Sequence, residues 1–209
     1  MLFRLSLLIL FILVSAAYSA LSTNKQKQFV GERFTKVLHS GALLDPHDGP
    51  WHCVLDKQEK LLWEVKTDDE SIHDGYWTYS WFDEVIGVEN RGDCYFEKSR
   101  CDTDDLIRAT NQQELCGQKN WRLPNKKELQ SLLLKNTLTG FAKIDSSYFP
   151  QLKNGDYWAA NNQRPLSKKF RKYRFGASSL NFFSGNTTAL PYKNAAFVIL
   201  VTDTRRDHH

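Results

Sequence analysis

The chain has 209 residues, of which 13% are aromatic and 41% hydrophobic, and six are tryptophan; this excludes a disordered polypeptide and supplies material for a substantial core. Against 24 Asp and Glu stand 28 Lys and Arg, a formal charge of +4 that is too mild to specify a polyanionic partner by bulk charge. Any such argument must rest on where the charges lie.

Residues 1–20 read as an export signal. Arg4 supplies the positive end, Leu7 to Val14 an apolar run, and Ser15-Ala16-Ala17-Tyr18-Ser19-Ala20 a small-residue cleavage zone. The apolar run falls short of the ~20 residues of a comfortable membrane span, so cleavage is expected rather than anchoring. No cysteine in that zone offers a lipid attachment point, and no later stretch is apolar enough to span a membrane. The expected destination is the periplasm or the exterior. Residues 21–31 form a polar arm, 32–203 the expected single domain and 204–209 a polar tail.

From about 34 to 81 the chain reads as short strands separated by turn residues. Residues 82–101 mix Gly87, Asn90, Gly92, charges and two cysteines, which suggests a disulfide-pinned loop. Helices are expected near 103–114 and 126–135, the first capped by Thr103 with Asp104 and Asp105 in its first turn. After them come the Tyr157-Trp158 strand, a basic loop, and strands near 172–183 and 194–202. Residues 181–186 read as strand then turn. Strands, then helices, then strands indicate an α+β domain rather than alternating βαβ units.

All four cysteines, Cys53, Cys94, Cys101 and Cys116, follow the export signal. An even count in an exported chain implies two disulfides, with three pairings open, and the absence of C-x-x-C spacing argues against zinc. The favoured pairs are Cys94–Cys101, which closes a small loop, and Cys53–Cys116, which ties the first hairpin to the second helix. Loop entropy assigns roughly 4 kcal/mol to the long bridge and roughly 2.5 to the short one.

The richest segment runs from Cys116 to Leu129. Asn125 and Glu128 have the spacing of a reciprocal helix cap, and Leu129, Leu132 and Leu133 give an inward stripe. Trp121-Arg122-Leu123-Pro124 with Glu128-Leu129 resembles the W-R-L-P-x-x-x-E-L signature of the bacterial family named for the C-terminal domain of the Legionella collagen-like adhesin. The resemblance extends over roughly 32–201. Trp51–Asp56 with Leu61–Lys66 is similar to the family's first hairpin, and Trp77–Trp81 to its aromatic strand. Cys101-Asp102-Thr103 is similar to the start of its first helix, and Phe197–Val201 to its closing strand. Lys60 stands where that hairpin usually has glycine, Ala159 and Ala160 replace two serines after Tyr157-Trp158, and Ile199 replaces a common arginine. The resemblance implies a C-type-lectin-like domain with short antiparallel sheets, and it points to glycosaminoglycan-type ligands.

The clearest candidate site is the segment from Arg164 to Phe175. Half of its residues are Lys or Arg, interleaved with Phe170, Tyr173 and Phe175. Guanidinium forks suit sulfate and carboxylate, and lysines act as mobile point charges. The ligand-binding residues expected are Lys168, Lys169, Arg171, Lys172 and, on a strand and so less favoured, Arg174. The competing reading is a solvated loop whose Tyr173 and Phe175 turn into the core. Export makes nucleic acid an unsuitable partner and anionic polysaccharide or a cell-surface glycan the natural one; an envelope protein is the alternative, and oligomers are compatible with either.

Asp102, Asp104 and Asp105 lack the spacing of a calcium loop, and His39, His47, His52 and His73 lack paired metal-ligand spacing, so no metal or cofactor is expected. No hydrolase, phosphate-loop or dinucleotide motif is present. The lectin-like formylglycine-generating enzymes need a reactive cysteine pair late in the chain, and no cysteine follows Cys116. A non-catalytic binding domain is the expectation.

Overall fold

The structure is a computed structural model describing residues 33–94, 101–134, 144–170 and 172–204; the expected export signal, the whole of the expected arm, the tail beyond Thr204 and Arg171 lie outside them. In chain order the elements are β1 (Phe34–Val37), β2 (Cys53–Asp56), β3 (Leu61–Glu64), α1 (Thr103–Gln112), α2 (Lys126–Ser131), β4 (Asp156–Trp158), β5 (Arg164–Pro165), β6 (Phe175–Asn181), β7 (Thr187–Pro191) and β8 (Val201–Asp203). Short 3₁₀ turns occur at Leu115–Gly117 and Lys168–Phe170. This is the expected α+β architecture, with two antiparallel sheets, two α-helices and two disulfides.

The first sheet has the order β1-β2-β3-β8. Its register puts Val37, Cys53 and Glu64 in one cross-strand row, and Val54, Trp63 and Val201 in the next. Because side chains alternate across a strand, these rows face opposite ways, and each meets its own apolar cluster. Val37, Cys53 and Leu62 join Tyr79, Trp81, Leu106, Trp121 and Trp158. Val54, Trp63 and Val201 join Phe34, Leu129, Leu132, Phe149 and Tyr157. A sheet covered on both faces explains why all four residues of β3 are buried, Glu64 included. The β2–β3 turn is closed by Asp56, whose carboxylate accepts the Gln58 and Glu59 N–H groups at 3.0 and 3.1 Å, and by Lys60 in the left-handed region at φ 57°.

In the second sheet β6 is the central strand. β7 runs along one edge, pairing Gly176–Leu180 with Thr187–Pro191. Along the other edge β4 pairs with the end of β6 and β5 with its start. Gly176 is required at this crowded point, since a Cβ there would collide with the Leu190 carbonyl of β7.

Five of the six tryptophans place the indole N–H on a backbone carbonyl: Trp51 on Tyr148, Trp77 on Ser71, Trp81 on Ala159, Trp121 on Leu115 and Trp158 on Tyr79. Burial of so large an apolar surface is thereby achieved with its polar handle satisfied. Trp63 Nε1 is the exception, buried with no partner among the described residues.

Several expectations need correction. The cap of α1 is Asp102, whose Oδ1 accepts the Asp104 and Asp105 N–H groups at 3.1 Å; the Thr103 hydroxyl instead exchanges hydrogen bonds with the Phe82 backbone. Both helices are shorter than expected, ending at Gln112 and Ser131. Trp77–Trp81 forms isolated bridges to Asp93, Ala196 and Asp102 rather than a regular strand. The last strand is Val201–Asp203, and the stretch before it makes isolated contacts, single bridges at Ala196 and Phe197 and hydrogen bonds between Leu200 and Glu64.

Candidate functional site

The Cys116–Leu129 segment is a fastening. Cys116 bonds to Cys53 with Cα atoms 6.5 Å apart, joining the turn after α1 to β2. Cys94–Cys101 forms the second bridge, so the expected pairing is the one present. Trp121 is buried, its backbone N–H on Asn111 Oδ1 at 2.7 Å, and the Arg122 backbone exchanges both hydrogen bonds with Val201. The Asn125–Glu128 capping box is complete. The side chains of Cys116, Trp121, Asn125 and Glu128 are thus engaged with the fold itself.

A second cluster is equally structural. Glu64 is fully buried and accepts Lys66 Nζ at 2.8 Å, His73 Nδ1 at 2.7 Å and the Leu200 N–H at 2.9 Å. Burial alone would raise its pKa, but the charge of Lys66 and the hydrogen bond and charge of His73 outweigh that and hold it down to about 2. His73 Nε2 reaches Gln113 Oε1 at 3.1 Å, so the network links β3 to the end of α1. His39 and His52 stack edge to face at 5.5 Å, and burial first, then the charges of His39 and His73, lower the His52 pKa. Asp104 pairs with Arg108 at 2.7 Å, and Asp105 is a second partner of the same guanidinium. Among the described residues no group of three or more His, Cys, Asp or Glu is arranged to hold a metal.

The basic segment is different in kind. Lys168 and Lys169 are exposed on the 3₁₀ turn between β5 and β6, and Phe170 beside them tucks back against the core and anchors the turn. Lys172 and Arg174 are exposed on the approach to β6. Lys172 Nζ lies 5.4 Å from the Tyr173 ring centroid, and Arg174 5.3 Å from that of Phe175. Phe175 is 43% exposed, so it does not turn into the core; its partner across the ladder is the exposed Pro165. None of these cations has a carboxylate partner among the described residues. Arg171, also expected in the site, lies outside those residues.

A residue not anticipated completes the cluster. The β6–β7 register sets Gly176 opposite Pro191, and this returns Lys193 to Tyr173, with Nζ 5.0 Å from the ring centroid. A hydrogen bond from Lys193, with the nearby charges of Lys172 and Lys193, holds the Tyr173 pKa below its usual 10. One signal in the sequence could have flagged this region. Between Asp156 and Asp203 there are seven Lys and Arg and no Asp or Glu at all. From Tyr157 to Thr202, which takes in nearly all of β4 through β7 and the turns between them, the chain thus carries positive charge only.

Two antiparallel sheets, two capped helices, two disulfides and a cationic edge make up a small disulfide-stapled α+β domain in which buried charges help to hold the fold together. The Lcl C-terminal domain family matches residues 52–202, and the chain belongs to that family of adhesin-related domains. No curated protein and no solved structure matches the chain.

Proposed function

We propose that this chain is an exported, non-catalytic binding domain whose second sheet engages anionic polysaccharide or a cell-surface glycan in the manner of an adhesin. The observation that carries the reading is the acid-free stretch from Tyr157 to Thr202, with its exposed Lys168, Lys169, Lys172, Arg174 and Lys193. Charges left without carboxylate partners add little to stability, but they attract a polyanion over a screening length of ~8 Å at physiological salt. Tyr173 and Phe175 add aromatic faces beside the cations, suited to sugar rings. Two disulfides and the adhesin-related family favour export, which makes a glycan the more natural polyanion than nucleic acid. The non-catalytic reading is supported by Glu64: the carboxylate most strongly held in its ionised form is fully buried, beyond the reach of a substrate.

The test is retention of the mature protein on heparin-type and neutral polysaccharide matrices over a salt gradient. Retention on the sulfated matrix alone, weakening steeply with salt, is expected. Equal behaviour on both matrices, or retention indifferent to salt, overturns the reading.

A further inference from the structure

We infer that a second, separate anion site lies in the cleft where the start of α2 meets β5, β6 and β7, and that it takes one compact oxyanion, a sulfate or carboxylate group such as a glycan carries. The cleft, about 190 Å³, is lined by Lys126, Arg164, Ser178, Thr187 and Thr188, with Pro165 and Ala189 beside them. No carboxylate is in its wall, and neither Lys126 nor Arg164 is in an ion pair among the described residues.

The hydroxyl groups make this more than a pair of surface cations. Ser178 is only 6% exposed and lines the cleft. Its hydroxyl can donate to an oxygen acceptor that enters the cleft. Thr187 and Thr188 add two exposed hydroxyls at the rim.

The walls are held in place before any ligand arrives. Asn161 accepts the Lys126 N–H on its side chain at 2.7 Å and the Ser178 N–H on its carbonyl at 2.8 Å, so one residue fixes both walls. The Ala160 N–H on the Pro124 carbonyl, at 2.8 Å, secures the same junction. On the β5 side, Arg164 is fixed by its pairing with Gly176. A guanidinium, an ammonium and hydroxyl groups lining one cleft suit a small oxyanion better than a neutral sugar.

This site is distinct from the Lys168–Lys193 surface, and the experiment keeps the two apart. Backbone amide shifts of the mature chain are followed by NMR during titration with sodium sulfate, with sodium glucuronate and with glucose, at constant ionic strength. Saturable shifts at Ser178, Thr187 and Thr188 are expected with sulfate or glucuronate and none with glucose. The exposed-group variant Lys126→Gln/Arg164→Gln, which leaves every described hydrogen bond of the frame intact, should weaken that binding at least tenfold, and Ser178→Ala at least threefold. Lys172→Ser/Lys193→Ser should leave it within twofold, whatever that variant does on a heparin matrix. Absence of saturable shifts, equal shifts with glucose, or saturation unchanged in Lys126→Gln/Arg164→Gln overturns the inference.

Discussion

Arg122 holds Glu128 through both terminal nitrogens at 2.9 Å each, while Glu128 accepts the Asn125 N–H at 2.7 Å. The glutamate thus caps α2 and clamps the guanidinium in one act, and the hydrogen bonds that Arg122 donates to Glu128 are the first cause of the raised Arg122 pKa. The arginine and glutamate of the family signature are in this way a single mechanical part. Glu128→Gln should cost roughly 1.5–3 kcal/mol, and Asn125→Ala about 1. In an Arg122→Met/Glu128→Gln double-mutant cycle followed by urea unfolding, additive losses would show the two residues to be independent.

The Glu64 network predicts an acid limit to stability. Its folded pKa of about 2 lies below the ordinary 4.5, so its contribution is complete above pH 4.5 and is lost as pH falls through 2. Glu64→Gln leaves Lys66 buried without its counter-charge and should cost about 3–5 kcal/mol at pH 7. The difference from wild type should shrink between pH 4.5 and 2. A gap that stays constant across that range, in urea midpoints taken at each pH, refutes the assignment.

Lys60 takes φ 57° at a position where the family usually has glycine. A non-glycine residue in the left-handed region costs roughly 1–2 kcal/mol, partly offset by the greater freedom glycine has when unfolded. Lys60→Gly should therefore stabilise by about 0.5–1 kcal/mol, whereas Lys60→Val should destabilise. Thermal midpoints of both variants decide it.

Tyr173 reports on the cationic surface without any ligand. Lys193→Gln removes the hydrogen bond that lowers its pKa, so its ultraviolet titration should move upward toward 10. Lys172→Ser/Lys193→Ser should elute from a heparin matrix at lower salt, with stability changed by no more than ~0.5 kcal/mol. A variant that melts early and elutes as before would make this surface a structural element.

Features that depend on near neighbours were legible in the sequence. The Asn125–Glu128 box needs only a spacing of three, and the Cys53–Asp56/Leu61–Glu64 hairpin only its turn residues. The cap of α1 was misplaced by one position because Asp102 and Thr103 are both good cap residues, and a tertiary partner, the Phe82 backbone, claims the threonine. Trp77–Trp81 has the composition of a strand, yet its neighbours are the single residues Asp93, Ala196 and Asp102, which no local pattern announces. Lys193 and Lys126 join the cationic regions only through the β6–β7 register and the Asn161 clamp, contacts made between residues distant in sequence. The buried Glu64 reads as an ordinary strand-end acid until Leu200 and His73 are brought onto it.

The pairing of β8 with β3 has a consequence for how the domain is made. Val201–Asp203 closes a sheet whose other strands are finished by residue 64, so some 140 residues must be in place before that edge is covered. Ordering is therefore dominated by distant partners, which slows folding and leaves β3 as a bare edge until the end. Removal of the last strand would not trim the molecule at its margin; it would strip the cover from Trp63, open the backbone seam between Arg122 and Val201, and leave an unfinished chain prone to pairing with its neighbours.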